Sequence, residues 1–247
     1  MARPIYTAKL ARSRWLSDQT RHFEWQVEEL DRFEFKAGQF VSMLETKEDG
    51  KHITRAYSIA SAARGREFDL CLNRVPHGYF SNFLCDLKDG SEVKFHGPHG
   101  HFTLREPLRD AIFVATGTGI APMRGFVQHL FGNAAAGAAR RQGQRFWLVF
   151  GTRYDKDTYY HEEFEAYAAA YPEFRYEVTV SRPTEAWKGR VGYVQGILKE
   201  IVGTMSPDQR NATDAYICGL NNMVADVRLL LTEAGFEKQQ IIFERYD

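Results

Sequence analysis

The chain has 247 residues, 44% of them hydrophobic, with 32 basic side chains balanced by 32 acidic ones. That balance lacks the basic surface that displaces counterions, which excludes broad nucleic-acid binding, and no apolar run approaches the ~20 residues needed to cross a bilayer. Cys71, Cys85 and Cys218 are odd in number and form no C-x-x-C pair, which excludes a disulfide framework and a cysteine-held zinc or iron–sulfur centre.

Taken from the N-terminus, "MARPIYTAKLARSRW" has no apolar core of signal-peptide length, and with the unpaired cysteines it predicts a cytoplasmic protein. Segments 23–30, 39–45, 55–61, 68–75 and 91–97 then alternate aromatic or β-branched residues with polar ones, the pattern of antiparallel strands in a small barrel or sandwich. A helical insert is predicted over Ser81–Leu87, ending before the turn "KDGS". "LREPLRD", Leu104 to Asp110, reads as a linker, dividing the chain into domains 1–105 and 106–247.

Beyond it, strands at 111–116, 145–152, 175–181 and 214–219 are each followed by a helical pattern, and a last strand at 240–246 ends the chain. Strand–helix alternation implies a parallel sheet with helical crossovers. The Ala- and Gly-rich stretch 132–144 reads as a mobile loop.

The first of these strands runs into Gly117-Thr118-Gly119, then a helix with Pro122 in its first turn. Such a turn is either a phosphate cradle of backbone N–H groups at a helix start or a plain tight connection. Arg153, Ser181 and Arg182 follow two neighbouring strands, with Arg190 shortly after. In an open parallel sheet these strand ends face the ligand, and guanidinium groups grip phosphate. No Asp or Glu directly follows these ends to hold a ribose 2′-hydroxyl, so a 2′-phosphate, and NADPH over NADH, is predicted.

R-x-Y-S (Arg55, Ala56, Tyr57, Ser58), a G-x-x-S helix start (Gly78 to Ser81), G-T-G-I-A-P (Gly117 to Pro122) and a late C-G (Cys218, Gly219) stand in this order along the chain. The set resembles the ferredoxin–NADP⁺ reductase superfamily, in particular the bacterial ferredoxin/flavodoxin reductases. The resemblance implies an FAD-binding antiparallel β-barrel followed by an NADP(H)-binding α/β domain with a parallel sheet. It implies that Arg55 pairs with the FAD diphosphate, Tyr57 stacks on the flavin and Ser58 lies at the ring edge. Cys71, Leu72 and Asn73 would line the ribityl chain, and Gly78, Tyr79, Phe80 and Ser81 the diphosphate. Gly117, Thr118 and Gly119 would face the NADP(H) pyrophosphate, with Arg153, Ser181, Arg182 and Arg190 at the adenosine end. Cys218, with Gly219 behind it, would lie where hydride moves.

"FERYD" resembles the family's E-R-Y-W ending, so Tyr246 would cover the second flavin face, with Asp247 where the pattern has tryptophan. "HGPHGHF", His96 to Phe102, matches the family's G-P-x-G-x-F turn; its histidines read as a solvated turn, and no metal is predicted. The activity implied is electron transfer between NADPH and ferredoxin or flavodoxin by a monomer, with Arg14, Lys51 and Arg64 available to steer an acidic carrier. A flavin reductase, an oxygenase-reductase component and an FAD-binding electron-transfer subunit without direct NADPH use are the alternatives.

Overall fold

The computed structural model describes residues 4–46 and 50–246; Asp247, whose side chain replaces the expected tryptophan, falls outside them. The chain divides into two compact units, Met1–Thr103 with Arg124–His129 and Leu104–Met123 with Leu130–Asp247.

In the first unit, β1 (Tyr6–Trp15), β2 (Thr20–Val27), β3 (Phe40–Thr46), β4 (His52–Ser58), β5 (Glu67–Asn73) and β6 (Glu92–His99) form one six-stranded sheet in the order β4-β3-β6-β1-β2-β5. All its pairings are antiparallel. An isolated bridge between Ile59 and Leu70 joins the two edge strands and closes the barrel. Its interior is aromatic, with Phe33, Phe68 and Phe95 mutually in contact and Trp25 beside Phe23. α1 (Tyr79–Asp86) adds Phe80, Leu84 and Cys85 to that core. It starts two residues before the predicted insert, within the usual ambiguity of helix ends. Strand β1 escapes sequence patterning because Ala8 and Leu10 are its only buried residues, set among Lys9, Arg12 and Arg14.

A charged cluster is buried beside this core. Asp69, 1% exposed, accepts from Arg64 (2.5 Å) and Arg124 (2.9 Å), and Arg124 also donates to the Ala60 carbonyl (2.8 Å). Arg64 is bound to Glu67 as well (3.0 Å), so its charge is matched locally instead of being offered to a carrier. Arg14 and Lys51 are exposed.

His22, 2% exposed, lies 3.7 Å from Asp69. Burial lowers its pKa to about 3; Asp69 opposes that shift while Arg124, Arg14 and Arg64 add to it. The folded value lies below the unfolded one, so the neutral ring's contribution is complete above pH ~6.5 and is lost as pH falls toward 3. Urea melts should show stability falling through this window by up to ~1.4 kcal/mol per pH unit, and His22→Gln should flatten that slope. Equal slopes in the two proteins would assign the acid sensitivity elsewhere.

The second unit carries β7 (Asp110–Thr116), α2 (Ile120–Phe131, its middle assigned to the first unit), α3 (Ala134–Arg141), β8 (Phe146–Thr152), α4 (His161–Ala170) and β9 (Phe174–Val180). Then come β10 (Arg190–Val191), α5 (Val194–Gly203), α6 (Pro207–Asn211), β11 (Thr213–Leu220), α7 (Asn221–Glu233) and β12 (Ile241–Tyr246). The sheet runs β10-β9-β8-β7-β11-β12, parallel throughout. Strands β7, β8 and β11 are buried along nearly their whole length, as strands covered on both faces must be.

The stretch predicted as a mobile loop is the helix α3. Asn133 caps it, accepting from the Ala136 N–H at 3.0 Å, and alanine favours the helix. Arg141 anchors its end: Nε donates to Glu173 (2.9 Å), and the guanidinium lies over Phe131 (4.6 Å) and Tyr171 (4.7 Å). These partners are distant in sequence, which is why composition alone suggested a loop.

Candidate functional site

In the second unit the chain steps outward from β7 to β8, β9 and β10, then returns to place β11 on the other side of β7. Strand order therefore reverses between β7 and β11, and ligands of open parallel sheets bind beyond the carboxyl ends at such a point. The glycine turn follows β7 and the C–G pair ends β11, so the fold brings together two motifs about a hundred residues apart. Their approach leaves no room for side chains. A Cβ on Gly119 would lie 2.2 Å from the Cys218 carbonyl oxygen, and one on Gly219 2.2 Å from Thr116 Oγ1. Gly117 takes a φ of +55°, left-handed backbone that glycine adopts freely. Thr116 Oγ1 is buried without a hydrogen-bond partner, an unsatisfied group of the kind a ligand completes.

Cys218 is fully buried at this junction. Burial pushes its thiol far above the ordinary value; Glu244 adds to the rise, and the neighbouring Tyr246 opposes it. Glu244 is the register partner of Cys218, and Tyr246 that of Leu220, on the neighbouring strand.

Arg153 leaves β8 and Ser181 and Arg182 leave β9, so the fold sets them side by side. The Arg182 N–H donates to the Arg153 carbonyl (2.8 Å), and the Ser181 N–H to the Thr152 carbonyl (3.0 Å). Thr184 donates to Asp155 (2.6 Å), tying the two loops. Arg190 is placed differently. It pairs in register with Thr179 on β9, and its guanidinium binds Glu177 (3.1 Å) and Glu200 (2.7 Å). The absence of an acidic residue directly after the strand ends therefore does not mean that none is near: two carboxylates reach Arg190 from β9 and α5. Arg190 and Glu200 line a groove of about 610 Å³, together with Tyr193, which is 74% exposed. The sequence reading missed Tyr193; an aromatic residue opening an amphipathic helix yet facing solvent was its only signal.

In the first unit, Arg55, Ala56, Tyr57 and Ser58 lie on β4 and Cys71, Leu72 and Asn73 on β5. These are the two edge strands, and the Ile59–Leu70 bridge that joins them lies directly next to both sets. Among the described residues no β4–β5 ladder continues past that bridge, so the two lips diverge from it. The Tyr57 and Phe80 rings stand 6.2 Å apart, which connects β4 to α1. Burial raises the Tyr57 phenol, with Cys85 adding and Arg55 opposing, so it stays neutral. Arg55 is exposed.

Gly78 is the N-cap of α1 and makes no side-chain cap, the kind of helix start at which anions bind. A Cβ on Gly78 would lie 2.9 Å from Ser81 Oγ and 3.0 Å from Val75 Cβ, so a side chain here would crowd the helix entry. The Ser81 hydroxyl itself is engaged, accepting from the Val75 N–H (3.0 Å) and donating to the Gly78 carbonyl. Tyr79 is exposed at the helix start. The histidine turn differs from a fully solvated one: His96 Nδ1 and His99 Nε2 are 2.6 Å apart and half-buried, which occupies two ring nitrogens a metal would need, while His101 is exposed. The donors in each unit fit a dinucleotide: an uncapped helix start and an exposed arginine on β4 in one, a glycine cradle with arginines on the neighbouring strand ends in the other.

Residues 7–104 match the oxidoreductase FAD-binding domain family, and residues 113–229 the oxidoreductase NAD-binding domain family. The chain is 38% identical to ferredoxin–NADP reductase B of Sorangium cellulosum, over 98% of both chains. It is 30% identical to the toluate 1,2-dioxygenase electron transfer component of Pseudomonas putida, over 98% of this chain and 67% of that one. Its fold is shared with a ferredoxin NADP⁺ reductase from Neisseria gonorrhoeae solved with FAD and NADP, at a TM-score of 0.81 and 20% identity over 99% of both chains. With the barrel, the parallel sheet and the glycine junction all in place, the chain belongs to the ferredoxin–NADP⁺ reductase superfamily of FAD-dependent oxidoreductases.

Proposed function

We propose that the chain transfers electrons between NADPH and a ferredoxin or flavodoxin, with FAD held by the first unit and NADP(H) by the second. The observation that carries this reading is the junction of Gly117–Gly119 with Cys218–Gly219, where Gly119 and Gly219 leave no room for a side chain at the switch point of a parallel sheet. When bound, NADPH supplies a hydride and FAD converts the electron pair into single electrons for the carrier.

In this reading Arg55 and the uncapped start of α1 hold the FAD diphosphate. Tyr57 offers a neutral ring for stacking and Ser58 a hydroxyl, while the backbone of Cys71 to Asn73 lines the connecting chain. The glycine turn receives the NADP(H) pyrophosphate, and the Thr116 hydroxyl finds its partner there. Arg153, Ser181 and Arg182 take the adenosine end, with Arg190 and Tyr193 along the adjoining groove. Cys218 keeps its proton, so it presents a small neutral surface that adds no charge where hydride moves. Tyr246, at the end of β12, covers the second flavin face.

The three cysteines are free and buried, in keeping with a reducing, cytoplasmic setting; no helix among the described residues is long and apolar enough to cross a membrane. Each unit closes its own core, consistent with a monomer.

The purified protein should be yellow, and anaerobic NADPH should bleach the flavin band faster than NADH does. Ferredoxin or flavodoxin should then reoxidise it. A colourless protein that takes up no FAD on refolding would end this reading. The likeness to the dioxygenase component favours, as a second reading, an oxygenase as the acceptor, and the carrier preferred in the same assay separates the two.

A further inference from the structure

The two carboxylates on Arg190 have a consequence for cofactor choice. An arginine grips a phosphate through two-donor edges of its guanidinium, which has five N–H donors in all. Here Nε is engaged by Glu177 and Nη1 by Glu200, so each edge has one donor already taken. A phosphate gains a bidentate grip only by displacing a carboxylate. Glu200, on α5, is 61% exposed and free to swing into solvent, whereas Glu177, on β9, is 37% exposed. Lys199 brings positive charge to the groove and Asp226 and Glu233 negative charge, so the groove has no strong excess of either sign to override the competition.

Resting on the adenosine-end reading given above, we propose that Glu200 is a specificity-determining residue that competes with the 2′-phosphate for Arg190 and thereby limits the preference for phosphorylated over unphosphorylated nicotinamide cofactor. Arg182 has no carboxylate partner among the described residues and supplies the main phosphate contact. Arg190 adds a second one when Glu200 withdraws. The bland role of a surface ion pair, worth little to folding, predicts no effect on ligand choice.

The test is calorimetric binding of 2′,5′-ADP and of 5′-AMP to the purified flavoprotein, which reads the adenosine end without turnover. Glu200→Gln should bind 2′,5′-ADP about three- to tenfold more tightly at low salt, because a carboxylate beside a dianion is removed. Binding of 5′-AMP should change less than about twofold. Unchanged or weaker 2′,5′-ADP binding by Glu200→Gln, with a loss in Arg190→Ala, overturns the competition and makes Glu200 a support for the arginine. If Arg182→Ala and Arg190→Ala both bind 2′,5′-ADP like the parent protein, the placement of the adenosine end fails, and this inference with it.

Discussion

Asp69→Ala is expected to lower the unfolding midpoint of the protein by about 10 °C, a loss of ~3–5 kcal/mol. The magnitude follows from what the substitution leaves behind. Asp69 binds Arg124 at 2.9 Å, and both side chains are nearly excluded from water. Removing it takes an ion-paired carboxylate away from a buried guanidinium, and the Ala60 carbonyl that remains among its acceptors is neutral. Arg64, with a side chain 42% exposed, can turn to solvent and keep Glu67. Arg124 has no such exit. Pairing Asp69→Ala with Arg124→Leu should recover most of the loss, because apolar replacement of a buried pair is often neutral or stabilising. Thermal melts of Asp69→Ala, Arg124→Leu and the double variant check this. A single variant as stable as the parent would show that the cluster is hydrated in solution.

This cluster also marks where the sequence stops being readable. The parallel half is legible because β7, β8 and β11 are uninterrupted apolar runs, each followed by a helix of opposite periodicity. The glycine turn and C–G pair are legible because each needs a residue without a side chain. The Asp69–Arg124 pair joins residues 55 apart in sequence, and nothing local announces it. Arg141 and its partners hide α3 in the same way. Glu177 and Glu200 stand 13 residues before and 10 after Arg190, outside any search of the positions next to a strand end, yet the sheet register and α5 deliver both to one guanidinium. What is encoded by backbone necessity can be read one segment at a time. What is encoded by charge pairing across the fold cannot.

The same contrast orders the glycines of the nucleotide turn, where Gly119→Ala is expected to cut kcat/KM for NADPH about a hundredfold. A Cβ at Gly119 would meet the carbonyl oxygen of Cys218 at 2.2 Å and its carbon at 2.6 Å. Both are backbone atoms that cannot rotate aside, so the ends of β7 and β11 must part, and displacement of a binding cradle by about an ångström costs on that scale. Gly219→Ala should act similarly, since its Cβ would lie 2.2 Å from Thr116 Oγ1 at a φ of +153°. Gly117→Ala separates crowding from backbone strain. Its φ is +55° with nothing within 4 Å of the added carbon, so only the left-handed conformation is penalised, by ~1–2 kcal/mol, and the rate should fall by no more than about five- to thirtyfold. Steady-state reduction of ferricyanide by NADPH gives the rates, and the flavin-to-protein absorbance ratio gives FAD content, which should stay constant because the residues proposed to hold FAD belong to the other unit. Equal losses for Gly117→Ala and Gly119→Ala would mean that strain, not the contact between turn and C–G pair, governs the site. A Gly119→Ala enzyme within threefold of the parent would remove the junction from the nucleotide site altogether. The ranking is the sharper test, because it depends on the 2.2 Å approach itself and not on the presence of glycine alone.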